Sequence, residues 1–571
     1  MSNAPLSASP PVSGLAQRLA PWLAALGGFG WFLWLGGGAV LPPTHLDWMM
    51  REDWAGNVSG WLFFRNAPWG LPLGATPNQF YPYGTSVALT DGNPWAAVLL
   101  KPFSSWLPVD FQYTGVWFAL CFLGMGYFGA RVVAIVSSRA VLQVLGGVLL
   151  ALSPVIVVRF VHPTLCAHWL LVAMLWLHLR AYPDPRAAWR ALALAALLNV
   201  LSAGTHPYWV AMLLPLTLAL AVRLGLAHAL GWGRLAAAMG VVLGLDLLCF
   251  ALFGYFVGTG LGAEGYGQFS SDLTTLVNPM GWSQWLQEQP VRPRQWEGFG
   301  YLGAGGLWLL SVAGLSLVAH GDTARRLPWR RGGPALGVVG VMAVYALSDH
   351  ITWRGRLLVD LSALSAPVQQ YTAAFRSSGR FIWPLYYLLL AGAVVLVVRL
   401  WRERPAVAGV ALGLAVVLQA GELRVERSAL RQPTHFQRLS APEWAALRGT
   451  YQHLSLFPTQ AQWVCHYDEP LVSALVYLAY REGLTFNSGY ASRTPPVIAE
   501  DCRASMRPGG VEARTVYVVM PDRLEGFLRA GARCGVLENL SVCVAGERTD
   551  AFAQALDRQR ITLSPPPAGI P

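Results

Sequence analysis

The sequence predicts a mainly α-helical, polytopic membrane protein of about eleven transmembrane helices, followed by a small C-terminal α/β domain. Of its 571 residues, 54% are hydrophobic and only 12% are charged, whereas soluble proteins carry about 25% charged residues. The 25 tryptophans and 19 tyrosines are typical of chains that cross the water–lipid boundary repeatedly. The net charge of +11 lies in short connections between apolar runs, so we expect no nucleic-acid surface.

Eleven apolar runs are each close to the length of a membrane-spanning helix. A polar, proline-rich stretch, residues 1–21, precedes them and is predicted to be a cytoplasmic tail rather than a cleaved signal. Residues Gly204 to Pro207 are the predicted bend of a helical hairpin, because proline cannot continue a hydrogen-bonded helix. The resulting transmembrane domain, residues 22–420, contains runs at roughly 22–41, 115–136, 140–158, 168–181, 189–205, 207–222, 235–257, 301–319, 333–349, 381–398 and 405–420.

The arginine distribution predicts the orientation of the chain. Cytoplasmic loops of membrane proteins are enriched in lysine and arginine, and here every second connection carries arginine. These connections contain Arg131/Arg139, Arg180/Arg186/Arg190, Arg223/Arg234, Arg325/Arg326/Arg330/Arg331 and Arg399/Arg402/Arg404. An odd number of spans then places residues 421–571 in the periplasm, beyond the bacterial inner membrane. Three long outer segments, at about 42–114, 258–300 and 350–380, fall on the same side.

The tail, residues 421–571, is predicted to be an α/β domain. Residues 471–482 have a helical pattern, 514–520 resemble a strand, 521–532 a helix and 537–545 a closing strand.

The cysteines of the tail are even in number, which suits disulfides in an oxidising compartment. We favour the pairs Cys534–Cys543 and Cys465–Cys502, because the strand-like segment around Cys543 follows Cys534 closely. These residues form no paired C-x-x-C motifs, which argues against a zinc site.

The first outer segment combines carboxylates with many tryptophans, a composition that suits a polar ligand held at the membrane interface. Asp47 and Asp53 emerge just past the first span, and Asp91 follows. Lys101, farther along the segment, is a candidate for binding a phosphate. On one continuous helix Asp47 and Asp53 would point to opposite faces, so they share a cavity only if the helix breaks. The alternative is that both are solvated surface carboxylates.

The remaining outer turns supply cationic candidates for an anionic ligand. They are Arg159, His162, His168, His206, Arg376 and Arg380. Arg376 and Arg380, four residues apart, would share a helix face and could clamp a phosphate. The alternative is that each is an anchor at the membrane interface.

Several motifs resemble a bacterial membrane-protein family catalogued as a domain of unknown function, over most of the chain. They are DWAGNVSGWLFFR (53–65), PLG (72–74), DGNP (91–94), FQYTG (111–115), NPMGW (278–282), EGFGYLG (297–303) and FRSSGRF (375–381). That family is itself similar to the type-C (GT-C) glycosyltransferase superfamily, whose members use sugars carried on polyprenyl phosphate or diphosphate. Here WAGN (54–57) replaces the polar, often histidine-containing stretch expected after the acidic residue.

The resemblance implies transfer of a sugar from a polyprenyl-linked donor to a periplasmic glycan, lipid or protein. It implies an acidic base in the first outer segment: Asp53 first, Asp47 second, with Asp91 orienting the acceptor or helping to hold a divalent metal such as Mg²⁺ or Mn²⁺. The positive charges of the outer cations would then compensate the negative charge of the leaving phosphate. Two other classes stay open: a transporter or lipid flippase, for which Asp246 is the one acid deep in a predicted span, and a non-catalytic envelope-assembly or sensor protein.

Overall fold

The computed structural model describes residues 14–228, 230–257, 266–321, 332–368, 371, 375–434, 436–507 and 509–562. Several predicted features fall at least partly outside these residues: the connection Arg325/Arg326/Arg330/Arg331, most of the N-terminal tail, and parts of the outer segments 258–300 and 350–380 and of the tail 421–571. The described α-helices in the first part of the chain are α1 (Leu15–Trp34), α2 (Glu52–Asn66), α3 (Pro94–Leu100), α4 (Thr114–Val133), α5 (Ala140–Ala151), α6 (Pro154–Val158), α7 (Trp169–Leu179), α8 (Pro185–Ala203), α9 (Pro207–His228) and α10 (Trp232–Phe253). They continue with α11 (Gly303–Ala319), α12 (Gly333–Leu347), α13 (Ser362–Ser365), α14 (Trp383–Leu400), α15 (Pro405–Glu422), α16 (Glu469–Glu482), α17 (Ile498–Asp501), α18 (Leu524–Arg529) and α19 (Ala551–Leu556).

Helices occupy each of the predicted apolar runs, and the mainly helical class is confirmed. Within the described residues, seven helices are long and apolar enough to cross a membrane. These are Thr114–Val133, Ala140–Val158, Pro185–Ala203, Pro207–His228, Trp232–Phe253, Ser378–Leu400 and Pro405–Glu422. The shorter apolar helices are Pro163–Leu179, Gly303–Ala319 and Gly333–Leu347, so the full count of eleven spans stays a prediction.

The first helix differs from its predicted position. We expected a span at 22–41, but α1 begins at Leu15 and ends at Trp34. Gly36 follows with a φ of +101°, a left-handed conformation that glycine adopts without steric cost and that ends the helix. The predicted hairpin bend is in place, since α8 ends at Ala203 and α9 begins at Pro207.

The chain divides into two compact units. The first, here called the helical unit, consists of the described residues of Met1–Pro42, Tyr113–Cys249 and Leu261–Gln432. The second, here called the mixed unit, consists of those of Pro43–Gln112, Phe250–Gly260 and Pro433–Pro571. The sequence boundaries placed residues 42–114 with the transmembrane domain, whereas the structure groups 43–112 with the C-terminal domain.

A five-stranded sheet forms the centre of the mixed unit. Its strands are β5 (His453–Phe457), β6 (Thr485–Phe486), β7 (Thr515–Val519), β8 (Arg533–Leu537) and β9 (Leu540–Val544). They lie in the order β6-β5-β7-β9-β8, with β5 parallel to β6 and β7, and β9 antiparallel to β7 and β8. The sheet confirms the predicted α/β character of the tail. Two short hairpins lie elsewhere: β1 (Ala75–Thr76) with β2 (Thr85–Ser86), and β3 (His350–Trp353) with β4 (Arg356–Asp360).

Disulfides reinforce this domain in the pairing favoured from the sequence. Cys534 and Cys543 are directly opposed on β8 and β9, and Cys465 is joined to Cys502. The three free cysteines of the described residues, Cys121, Cys166 and Cys249, are buried.

Backbone hydrogen bonds explain why residues 43–112 belong to the mixed unit. The amide of Phe486 donates to the carbonyl of Asn78, and the amide of Tyr81 donates back to the carbonyl of Phe486. The outer segment thereby extends the sheet at β6, its edge strand, and satisfies backbone groups that the edge would otherwise leave exposed. Phe63 of α2 also enters the apolar core of the tail.

Candidate functional site

Asp53 lies at the start of α2, in the first turn of the helix. Arg51 is extended and Glu52 has a φ of +50°, so the chain turns sharply just before the helix begins. A carboxylate in the first turn is stabilised by the unpaired amides and the positive end of the helix dipole. Asp53 is half-buried, which leaves its carboxylate stabilised and accessible.

Tyr490 and Trp463 of the C-terminal domain complete the surroundings of Asp53. The phenol of Tyr490 is hydrogen-bonded to the Asp53 carboxylate, and the side chain of Trp463 is hydrogen-bonded to Tyr490. Burial raises the pKa of Tyr490 well above its ordinary value, and the negative charge of Asp53 raises it further. Tyr490 therefore stays protonated and donates to Asp53. The ring of Trp463 is 64% exposed and presents a flat face to solvent beside this pair.

The glycines of the DWAGNVSGW motif let two other segments approach α2. A Cβ atom at Gly56 would overlap the ring of Tyr490, and one at Gly60 would overlap the side chain of Thr90. Asn57, one turn after Asp53, donates from Nδ2 to the carbonyl oxygen of Asp91 at 2.5 Å. One face of α2 thus holds both the loop that carries Asp91 and the loop that carries Tyr490.

Four of the eleven non-glycine residues with a positive φ in the described part of the chain lie around this face. Positive φ angles occur at Glu52 (50°), Asp91 (58°), Asn93 (45°) and Trp463 (69°). None of these residues is glycine, and such conformations cost about 1–3 kcal/mol each, persisting where the surrounding structure enforces them. Strained residues of this kind often occur at functional sites. We define the carboxylate site as Asp53, Asp91, Tyr490 and Trp463.

Asp47 has different partners. It lies in a short 3-10 helix, Asp47–Met49, that is separated from α2 by Met50 and Arg51; the helix break required by the sequence argument is therefore present. Its Oδ1 lies 2.5 Å from Nη2 of Arg438, whose Nη1 lies 3.1 Å from Asp110. Asp47 is thus an ion-pair partner in a network that joins the outer segment to the tail.

Lys101 is also engaged rather than free for a ligand. Its ammonium group lies 4.0 Å from the ring centre of Phe64 and 4.5 Å from that of Trp69, and it donates to the carbonyl of Pro68 at 3.4 Å. Burial lowers the pKa of this amine to about 8. Lys101, which was expected to bind phosphate, therefore lies against two aromatic rings instead.

The helical unit contains a buried ion cluster centred on Glu297. Its Oε2 lies 2.6 Å from Nη1 of Arg159 and 2.9 Å from Nε of Arg380, and its Oε1 lies 3.7 Å from Nε2 of His162. Burial alone would raise the pKa of the Glu297 carboxyl, but Arg380, Arg159 and His162 outweigh it and hold the pKa well below its ordinary value. Two arginines share one carboxylate, so the cluster carries an excess of positive charge.

Close backbone packing positions this cluster. A Cβ atom at Gly379 would overlap the backbone of Gly298, and the Ser271 hydroxyl donates to the carbonyls of both glycines, at 3.0 Å to Gly379 and 3.1 Å to Gly298. The motifs EGFGYLG and FRSSGRF therefore meet side by side, which brings Glu297 to Arg380.

The geometry corrects two expectations about the cations. Arg376 and Arg380 do not share an α-helical face, because Arg376 lies in a bend and Arg380 in the 3-10 helix Ser378–Ile382. His168 is fully buried between the rings of Trp209, Trp383 and Tyr387, where it cannot reach a ligand.

Arg376 and His206 are less buried than the two arginines that are paired with Glu297. Arg376 is half-buried, with its guanidinium 5.4 Å from the ring centre of Phe269. His206 is the residue just before α9, where its Nδ1 accepts a hydrogen bond from the amide of Tyr208 at 3.2 Å.

Sequence reasoning missed Tyr490, Trp463 and Glu297 as site residues. Tyr490 and Trp463 lie in loops of the tail, and no spacing relates them to Asp53. Glu297 opens one of the quoted motifs, so its pairing with two arginines could have been suspected from the need to neutralise buried charge.

The family described as "Domain of unknown function (DUF6311)" matches residues 25–424. This chain belongs to that family. A second match, the DUF6311 C-terminal domain, covers residues 443–545, so both the helical region and the tail are typical of the family. No curated protein and no solved structure matches the chain.

The two clusters offer different chemistry. The carboxylate site has an oriented anionic oxygen, a protonated phenol and an exposed aromatic face, a combination that can accept a proton and stack on a sugar ring. The Glu297 cluster offers buried guanidinium groups, which suit anions. Among the described residues, no three Asp, Glu, His or Cys side chains converge as in a metal site made of protein ligands alone.

Proposed function

We propose that the protein is an integral membrane glycosyltransferase of the GT-C type. It would transfer a sugar from a polyprenyl-phosphate or polyprenyl-diphosphate donor to a cell-surface glycan, lipid or protein acceptor. The proposal includes placement in the bacterial inner membrane with the C-terminal domain in the periplasm. The observation that carries it is the carboxylate site, in which Asp53 is held at a helix N-terminus by Tyr490 beside the exposed ring of Trp463.

Asp53 is the proposed general base. The acceptor hydroxyl gives its proton to the carboxylate while its oxygen forms a bond to the anomeric carbon, and the bond from that carbon to the donor phosphate breaks. A carboxylate has lone pairs for several hydrogen bonds, so the bond from Tyr490 orients Asp53 without exhausting it. An alcohol is a weak nucleophile at neutral pH, and a positioned base of this kind accelerates such steps by roughly 10²- to 10⁴-fold.

The leaving phosphate requires compensating positive charge. Arg376 is the leading candidate in the helical unit, because it is half-buried and its guanidinium lies 5.4 Å from the ring centre of Phe269. Arg159 and Arg380 are paired with Glu297, so they are weaker candidates than Arg376.

A divalent metal is compatible with the carboxylate site. Mg²⁺ is commonly bound through one or two carboxylates together with substrate phosphates, and Asp53 and Asp91 both act electrostatically on Tyr490. These two residues would hold such an ion, which would supply charge neutralisation at the phosphate. Inhibition by a chelator, reversed by added Mg²⁺ or Mn²⁺, would support this role; indifference to chelator would assign Asp53 to proton transfer alone.

A transporter or lipid flippase is the second candidate, and one observation favours it. Asp246 lies within α10, is 1% exposed, and neither of its carboxylate oxygens has a hydrogen-bond partner in the part of the chain that the structure describes. Buried ionisable residues within membrane spans often mark ion or proton pathways.

The decisive experiment compares surface glycans in a deletion strain and its parent by mass spectrometry. We expect one glycan to lose a sugar, and expect its recovery with the wild-type gene but not with Asp53→Asn. Glu52→Gln is the matched control, because it alters the neighbouring, exposed carboxylate of the same helix turn. Unchanged glycans in the deletion strain, or full recovery with Asp53→Asn, would overturn the proposal.

A further inference from the structure

An aromatic face on the outer segment is exposed to an unusual degree. Leu99, Phe103 and Trp106 follow the helical spacing i, i+4 and i+7 along α3 and the turn after it, and all three are exposed, with Trp106 at 80%. The rings of Phe103 and Trp106 lie 5.9 Å apart. Trp69 is also exposed. The ammonium group of Lys101, which lies in the same turn as Phe103, is 4.5 Å from the centre of the Trp69 ring. We call these four residues, Leu99, Phe103, Trp106 and Trp69, the aromatic face.

The composition around this face is not that of a water-facing surface. Residues 67–109 contain only two charged side chains, Asp91 and Lys101. In the described part of residues 433–571, by contrast, the exposed large hydrophobic residues are Trp463 and Val464 alone. Large apolar patches on soluble surfaces are rare and mark sites of interaction.

The backbone beneath the face is arranged to hold it outward. The buried guanidinium of Arg65 donates to the carbonyls of Ser104, Leu107, Pro108 and Val109 at 2.8–3.2 Å. Four carbonyl groups of this loop are thus satisfied on the inner side, while Trp106 is exposed on the other. In most surface loops the backbone groups face water and the apolar side chains face inward. The opposite arrangement seen here suits an apolar medium, where backbone groups find no water.

The aromatic face is connected to α4 by a short stretch of chain. The outer segment is closed at its base, where the amide of Gln112 donates to the carbonyl of Pro43 at 2.7 Å. The membrane-spanning helix α4 then begins at Thr114, eight residues after Trp106, and eight extended residues reach at most about 28 Å. Since α4 is long and apolar enough to cross a membrane, this connection limits how far the aromatic face can lie from a bilayer.

We propose that the aromatic face docks on the phospholipid bilayer, with its rings at the level of the headgroups. Tryptophan and phenylalanine favour this region because their rings are largely apolar and tolerate a wet boundary. Lys101 lies against the rings of Phe64 and Trp69 and thereby holds Trp69 in position. The outer segment is thereby held at the lipid surface, whatever reaction or transport the protein performs.

Site-directed labelling tests this surface in purified protein reconstituted into phosphatidylethanolamine–phosphatidylglycerol nanodiscs. A fluorophore is attached at Trp106→Cys and, as the matched control, at Ala551→Cys, an exposed position of the C-terminal domain. The native free cysteines of the described residues are buried, which limits background labelling. Two quenchers are compared: nitroxide-labelled lipid from the bilayer and iodide from water.

We expect the label at residue 106 to be quenched several-fold more by nitroxide lipid than the control label, and several-fold less by iodide. Quenching by iodide alone, as at residue 551, would overturn the proposal. Protection from both quenchers would also overturn it, because the face would then be covered by protein. The labels are added at exposed positions, and monodisperse elution of both variants checks that they fold.

Discussion

The phenol of Tyr490 donates a hydrogen bond to the carboxylate of Asp53, although the two residues come from opposite ends of the chain. The bond holds the proposed base in one orientation, and it exists only because Gly56 leaves room for the tyrosine ring. The C-terminal domain is therefore part of the candidate site and not an appended module.

The first prediction distinguishes the proposed base, Asp53, from Tyr490, the residue that orients it. Asp53→Asn should lower glycosyl transfer by roughly 10²- to 10⁴-fold, because the amide cannot accept a proton at neutral pH. Tyr490→Phe should lower it less, by about 10-fold, because it removes one charge-assisted hydrogen bond. Transfer is measured in membranes with a polyprenyl-linked donor and with Glu52→Gln as the control. A larger loss in Tyr490→Phe than in Asp53→Asn would contradict the assignment.

Asp47 provides the second prediction. Asp47→Asn removes an ion-pair partner of Arg438, and partly exposed pairs contribute about 0.2–1 kcal/mol. We expect near-normal turnover and a small fall in the melting temperature of the purified protein. If Asp47→Asn is inactive while Asp53→Asn is active, the role of base moves to Asp47.

The third prediction distinguishes the two arginines of the FRSSGR segment. Arg376→Ala should weaken use of the phosphate donor, seen as a raised KM, while expression stays normal. Arg376→Lys should rescue only in part, since an ammonium group lacks the two-pronged geometry of guanidinium. Arg380→Ala should instead reduce folded protein, because Glu297 loses one of its buried partners. Unaltered donor dependence in Arg376→Ala would leave that residue as an interface anchor.

Glu297 gives a prediction about stability and pH. Glu297→Gln leaves Arg159 and Arg380 without their carboxylate, and breaking a buried pair costs about 3–5 kcal/mol. Because the pKa of Glu297 is lowered in the folded protein, its contribution is complete above the ordinary carboxyl pKa and disappears as pH falls through the lower, folded value.

The melting temperatures of wild type and Glu297→Gln should therefore differ most near neutral pH and converge in acid. Glu403→Gln, at an exposed position of the helical unit, is the control. A constant difference from neutral to strongly acidic pH would show that the ion cluster does not account for the stability of this region.

The fifth prediction concerns orientation. Arginine-bearing connections alternate along the chain, and cytoplasmic loops favour arginine. Alkaline phosphatase fused after Arg427 should be active, because the enzyme requires the oxidising periplasm, and a fusion after Arg331 should be inactive. The opposite pair of activities would reverse the proposed topology.

Local patterns in the sequence predicted much of the fold. Apolar runs predicted the mainly helical class, the Gly204–Pro207 segment predicted the hairpin between α8 and α9, and two short strand-like segments predicted β7 and β9. These features depend on neighbouring residues, because hydrophobic periodicity and turn chemistry act within a few positions of the chain. Asp53 could be chosen for the same reason, as an acid just past the first apolar run.

Only the tertiary structure decided which groups meet. From the sequence, Arg376 and Arg380 were predicted to form one clamp on a shared helix face. In the structure Arg376 lies in a bend, whereas Arg380 lies in a 3-10 helix and is paired with Glu297. The sequence also left Tyr490 unconnected to Asp53. The partner of a buried or half-buried charge is determined by long-range packing and by where glycines permit close approach. No local pattern carries that information, so the helices could be predicted from the sequence and the partners of their charged residues could not.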